Sequence, residues 1–341
     1  MQRRIPRGLG ALALTGLFLL GLTALPTADD PPKFSGWSAP VNLGPVVNSA
    51  AYDACPTISK DGLSLYFRSN RPGSQLLPNS ATPSLDIWVT QRDSVDDPWG
   101  VPVNLGPTVN SPYHEYCTTF SPDGHWMVFV SQRPGCGNQD LWISHRKNKR
   151  DDLGWETPEM LNCGATEVNS TAAENGPAWF EEEATGRTLL YFSSGRPGGL
   201  GGLDIYVSEA LGQAKDEFGS PVPVVELNTT ALDYQPVLRK DGLEIFFASN
   251  RPGSQQADPV YGLPPGAPSV DIWFAVRDSL EDPWSPPENV GPLVNSPFWD
   301  FHPTLSRDGT ALIFASERGG SSTGWSDLWM ATREKLRGPR P

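Results

Sequence analysis

One segment is written five times along this chain, and that repetition limits the fold more than any other property. The first copy opens with Asn48 and Asp53, passes through Cys55-Pro56 and a Lys60-Asp61-Gly62 turn, and closes on Phe67-Arg68-Ser69-Asn70-Arg71 and Asp86-Ile87-Trp88. The second carries Asn110, Glu115, Asp123-Gly124, Phe129 to Arg133 and Asp140-Leu141-Trp142; the third carries Asn169, Glu174, Phe192 to Arg196 and Asp204-Ile205-Tyr206. The fourth has Asn228, Asp233, Asp241-Gly242, Phe247 to Arg251 and Asp271-Ile272-Trp273, and the fifth has Asn295, Asp300, Asp308-Gly309, Phe314 to Arg318 and Asp327-Leu328-Trp329. Successive acids stand 62, 59, 59 and 67 residues apart. A near-constant period with variable inserts is the mark of a repeat architecture.

The first copy contains four strand signals. Cys55 to Ser59 runs into the Asp61-Gly62 turn, a strong hairpin signal. Leu63 to Ser69 returns, Leu85 to Gln91 is a third strand rich in β-formers, and Trp99 to Gly106 makes a fourth. Four antiparallel strands repeated five times describe an all-β, five-bladed β-propeller. The last copy stops after its third strand, whereas the chain starts with an orphan fourth strand, Trp37 to Gly44. That N-terminal strand is expected to complete the last blade and hide two sheet edges. The propeller is assigned to residues 33–336, with repeats starting near 48, 110, 169, 228 and 295, and residues 337–341 form a tail.

Residues 1–28 read differently. Arg3, Arg4 and Arg7 precede an apolar run from Leu9 to Leu25, then Pro-Thr-Ala, the order of a secretory signal. A periplasmic or extracellular protein without membrane insertion is expected. The chain carries 26 basic and 39 acidic residues, a net charge of −13, which disfavours nucleic acid as a partner. Four cysteines in an oxidising compartment permit two disulfides. Cys55 with Cys117 and Cys136 with Cys163 is the expected pairing among three, with buried thiols at Cys55 and Cys117 as the alternative.

The Ser-Pro-Asp-Gly phrase at 121–124, the Phe-x-Ser-x-Arg segments and the following Asp-Ile-Trp or Asp-Ile-Tyr resemble the WD-repeat-like propeller repeats of TolB-type periplasmic proteins. The resemblance covers all five copies. It implies the fold and leaves the activity open, because such propellers serve as binding platforms, as accessory domains and, more distantly, as sugar-processing enzymes.

Folding each hairpin brings acid, arginine and aspartate to one end of a blade. One reading is architectural: Arg71, Arg133, Arg196, Arg251 and Arg318 each fork between an inner acid and Asp86, Asp140, Asp204, Asp271 or Asp327. The other concerns Asp53, Glu115, Glu174, Asp233 and Asp300, which begin the innermost strands and are expected to ring the channel mouth. Five-bladed glycosidases resemble this arrangement, with two or three carboxylates around the axis, from which an acid and a base are drawn if their pKa values separate. No metal ligand set is assigned, although Ca²⁺ suits oxygen ligands of this kind. Trp299, Trp325, His114 and His302 flank the ring, and Tyr261 lies in the long loop 252–270, on the same face as loop 72–85. Aromatic rings beside carboxylates suit a sugar. No HExxH or nucleophile elbow is present. The sequence therefore predicts a monomeric binding or scaffold propeller that recognises a protein or glycan on this face. A glycoside-cleaving enzyme and a Tol-like envelope component are the alternatives.

Overall fold

The computed structural model describes residues 33–212, 215–319 and 325–336. The expected export segment, 1–28, and the tail, 337–341, lie outside the described residues. Five four-stranded antiparallel sheets follow one another. Their innermost strands are Ala54–Ile58, Glu115–Phe120, Glu174–Glu181, Asp233–Leu238 and Asp300–Leu305. The second strands are Ser64–Ser69, Trp126–Ser131, Thr188–Ser194, Glu244–Ser249 and Ala311–Ser316. The third are Asp86–Gln91, Asp140–His145, Asp204–Glu209, Asp271–Val276 and Asp327–Thr332. Every outermost strand has two residues. The one predicted over 99–106 shrinks to Val103–Asn104, since Pro102 has no N–H to give and Gly106 turns away at φ 81°.

The ring closes as the sequence predicts. Val41–Asn42 pairs with Met330 and Trp329 of the last blade, and Asn42 donates to Asp327 at 2.8 Å. Lys33–Phe34 adds a second clasp on Lys335–Leu336. Apolar side chains fill the spaces between blades. Phe67, Phe129, Phe192, Phe247 and Phe314 occupy one repeat position and are all buried, each stabilising the fold by about 1.5–3 kcal/mol.

A shared irregularity positions the axis. Every innermost strand slips register two residues after its acid, at Cys55, Cys117, Gly176, Gln235 and His302, which all have φ of 50–57°. Four of the five are followed by proline (Pro56, Pro177, Pro236, Pro303) and the fifth by Thr118. Proline removes a ladder donor, and the resulting bulge swings the preceding residue out of the sheet. These five residues with their followers meet at the axis, where a cavity of only ≈ 30 Å³ is left between them. The channel is plugged.

Candidate functional site

The five inner acids are completely buried. Asp53 accepts from Ser49 N at 2.6 Å and Oγ at 2.8 Å and from Arg71 at 2.7 Å. Glu115 is held by Ser111, Ser131 and Arg133, and Glu174 by Ser170, Ser194 and Arg196. Asp233 is held by Thr229, Ser249 and Arg251, and Asp300 by Ser296 and Arg318. Each arginine also donates to a backbone carbonyl just before its acid: Val47, Val109, Val168, Leu227 and Val294. Burial raises Glu115, Glu174 and Asp300 above the usual carboxylate range, and their serine and arginine partners only partly offset it. The acids therefore fasten each inner strand to the segment entering its blade, and they are not gathered around an open mouth.

The third-strand aspartates have a different job from the one expected. Asp86 accepts from Gln75 N and Asn104; Asp140 from Cys136 N and Gly137 N; Asp204 from Leu200 N and Gly201 N. Asp271 accepts from Gln255 N and Asn289, and Asp327 from Asn42. The arginine does not fork between two carboxylates. Its second hydrogen bond goes to the carbonyl, while in the first four blades the aspartate caps the loop after the arginine, and in the first, fourth and fifth it ties down the outer strand.

Because the repeated residues are committed to architecture, positions where the repeat is broken acquire significance. In Phe-x-Ser-x-Arg the first variable position reads Arg68, Val130, Ser193, Ala248 and Ala315; the second reads Asn70, Gln132, Gly195, Asn250 and Glu317. Each position carries one charge. Asn70 and Asn250 accept the backbone N–H of Tyr52 and Leu232, both at 2.9 Å. In the fifth blade the matching N–H, from Trp299, goes to Tyr261 Oη at 3.0 Å, and Tyr261 donates to Glu317 Oε2 at 2.7 Å. The Tyr261 ring stacks on Trp299 with centroids 5.2 Å apart. It is delivered by a 3-10 turn, Pro259–Tyr261, capped by Asp258, whose own N–H bonds Pro297 O. Burial, reinforced by the Asp300 charge, raises Glu317, against the Tyr261 hydrogen bond and Arg68. Burial also raises the Tyr261 hydroxyl.

Arg68 pairs with Ala54 across the hairpin, at the acid end of the blade. Its guanidinium lies 5.0 Å from the ring centres of both Tyr52 and Tyr116. Its charge bears on His114, Tyr234, His302 and Glu317, which come from the second, fourth and fifth blades, so it sits over the axis. His302 is buried in the plug with Nδ1 unpartnered; burial and then Arg68 push it well below the ordinary histidine range, so it is neutral. His114 Nδ1 accepts from Leu85 N at 2.8 Å, which leaves the proton on Nε2. Trp325 stands 65% exposed. The structure thus brings Glu317, Tyr261, Trp299, His114 and Arg68 to the acid-side mouth, with His302 beneath them. Arg68 and Glu317 were not singled out from the sequence, although each is the one charged residue at its repeat position.

The opposite face holds a concavity of ≈ 1360 Å³, bounded by the turn ends of the inner strands. Much of its polar lining is already paired. Thr57 bonds Thr118 O, Thr119 receives Trp179 N, Lys60 bonds Pro122 O, and Arg146 is held by Asp152. The charged residues that break the repeat, Arg68 and Glu317, stand on the acid side instead. Among the described residues, one group has metal-ligand types together, Cys55, Cys117 and His302, but the two sulfurs are bonded to each other, and a disulfide offers no thiolate. Cys136 is bonded to Cys163.

No protein-family model and no curated protein sequence matches the chain. Solved structures do match in fold. The catalytic domain of a GH62 α-L-arabinofuranosidase from Coprinopsis cinerea aligns at TM-score 0.56 and 15% identity, over 89% of this chain and 98% of that one. A GH43 endo-arabinanase from Bacillus licheniformis aligns at 0.55 and 13%, over 83% and 94%. A GH43 β-xylosidase/α-arabinofuranosidase from a compost microbial metagenome, in complex with xylotriose, aligns at 0.52 and 13%, over 90% and 96%. At these identities the likeness establishes the five-bladed propeller.

Proposed function

We propose that this protein cleaves glycosidic bonds in the acid-side mouth, with Glu317 as the proton-donating carboxyl. The observation that carries the reading is the Trp299–Tyr261–Glu317 unit, where the repeat is broken, an aromatic face stands beside a carboxyl, and burial raises that carboxyl above its ordinary range. Glycoside cleavage needs an acid that still holds its proton when the substrate arrives. Glu317 gives that proton to the glycosidic oxygen as the bond to the anomeric carbon breaks, and a water supplies the hydroxyl that replaces the leaving sugar, its remaining proton restoring the Glu317 carboxyl. Tyr261 fixes the carboxyl through one oxygen and leaves the other for the substrate. Trp299 and Tyr261 offer apolar faces suited to a sugar ring.

The solved propellers named above are glycoside hydrolases, which supports cleavage over a binding scaffold. Of the Tol-type resemblance only the five-bladed fold is supported, because the solved structures named above are GH43 and GH62 propellers and not TolB or WD-repeat proteins. The two disulfides support a periplasmic or extracellular site of action.

The test is incubation of the protein with arabinan, arabinoxylan, xylan and polygalacturonan, with products read by mass spectrometry. Oligosaccharide release by the native chain, reduced by roughly 10²-fold or more in Glu317→Gln, is the expected result. Binding without products would replace cleavage with recognition, and products formed equally by Glu317→Gln would remove Glu317 from the chemistry.

A further inference from the structure

We infer that Arg68 is a subsite for the carboxylate of an acidic sugar, so that the glycan taken at the mouth contains uronic acid. The inference deepens the proposed function and rests on its placing of the glycan at the mouth. Five arginines of the repeat are each bound to a buried carboxylate. Arg68 is set apart from them. No carboxylate of the described residues lies within salt-bridge distance of it, and its Nε is buried with no hydrogen-bond partner. The polar side chain against it is the hydroxyl of Tyr52. Glu317 is bound by Tyr261 Oη at 2.7 Å and makes no salt bridge to Arg68.

A buried, unpartnered guanidinium N–H is costly unless something fills it. The rings of Tyr52 and Tyr116, both 5.0 Å from the guanidinium carbon, hold its plane in place without neutralising it. The setting also selects for an anion. His114 and His302 are both kept from protonating by burial and by Arg68 itself. Arg68 is therefore a positive charge near the axis that makes no salt bridge to a carboxylate of the described residues, and its planar fork fits a carboxylate through two parallel hydrogen bonds. A substrate carboxylate at Arg68 would in turn oppose ionisation of Glu317, and so favour the protonated form that the proposed reaction uses.

The test compares trigalacturonate with its methyl ester, which keeps the skeleton and removes the charge, by calorimetry on the native protein and on Arg68→Gln. A neutral xylotriose arm and a sulfated galactan oligosaccharide arm accompany them. The native protein is expected to prefer the acid over the ester on the order of 10- to 100-fold, the weight of a charged hydrogen-bonded pair, and Arg68→Gln is expected to lose that preference. Equal binding of acid and ester by the native protein overturns the inference without recourse to any variant. A preference for the sulfated arm over the acid overturns the uronate assignment. Acid-selective, Arg68-dependent binding with no cleavage would leave this subsite standing and remove the enzymatic reading. Cleavage of neutral glycans with no acid preference would do the reverse.

Discussion

Glu317 and Arg318 are adjacent in sequence and opposite in purpose, and replacing each should show it. In Arg318→Leu, Asp300 stays completely buried with Ser296 and Ser316 still beside it, but without its cation, and Val294 O loses its donor. Breaking a buried pair from one side costs about 3–5 kcal/mol. Glu317→Asn instead installs the residue type that the first and fourth blades use. There Asn70 and Asn250 accept a backbone N–H at 2.9 Å, so the introduced asparagine can take the Trp299 N–H now held by Tyr261 at 3.0 Å. One hydrogen bond exchanges for another, the Tyr261–Glu317 bond is lost, and a carboxyl disfavoured by burial is removed, leaving a net change within about 1 kcal/mol. Urea unfolding at pH 7 measures both, with constant slope as the check on a common unfolded state, and product release from the responsive glycan measures activity. The Arg318→Leu penalty should also shrink as pH falls towards 4. Burial and the lost cation raise Asp300 in the folded state, so protonation stabilises that fold and the gain is lost as pH rises through the raised pKa. A Glu317→Asn loss as large as that of Arg318→Leu, or a harmless Arg318→Leu, would refute the division between architecture and site.

Asp271 is completely buried, has Oδ1 without a partner, and is raised to about 7, chiefly by burial. The folded state therefore binds its proton more tightly than the unfolded chain, and stability should fall by up to about 4 kcal/mol as pH rises from 4 to 7; an Asp271→Asn variant followed by urea unfolding across that range should have a flatter profile. Deleting residues 33–47 removes the pairing of Val41–Asn42, the Asn42–Asp327 bond, buried Val47 and the carbonyl that Arg71 grips. A loss of at least roughly 3–5 kcal/mol is expected in denaturant titration, and an unchanged midpoint would contradict closure by this strand.

What was legible in the sequence was whatever the chain repeats. Four Asp-Gly hairpin turns, five Phe-x-Ser-x-Arg segments and an orphan fourth strand led to blade number, strand order and closure because each is a local pattern with one geometric meaning. The partners of the inner acids were legible in part. The arginine was identified, but its second hydrogen bond goes to a carbonyl such as Val47 O, and a backbone acceptor leaves no trace in a side-chain pattern. The plug was hidden for a similar reason. Gly176, Gln235 and His302 have nothing chemical in common with Cys55 and Cys117; what unites them is a left-handed backbone imposed by the bulge. Tyr261 was visible as an aromatic in a long loop, but not its contact with Glu317, which lies 56 residues on in the neighbouring blade.

Repetition itself then becomes an argument about the site. Five carboxylates set against five guanidiniums give the inner ring no net charge, and all ten groups are buried or nearly so. A ligand arriving at the mouth therefore meets the residues by which blades differ: Arg68 from the first, His114 from the second, and Glu317 from the fifth with Tyr261 leaning over from the fourth. Burial keeps the two histidines there from charging, so the field is that of the Arg68 cation on one blade and, on another, the Glu317 carboxyl that burial raises. A symmetric ring offers a ligand five equivalent orientations. One positive and one acidic position fix a single orientation, which is what bond cleavage at a defined linkage requires.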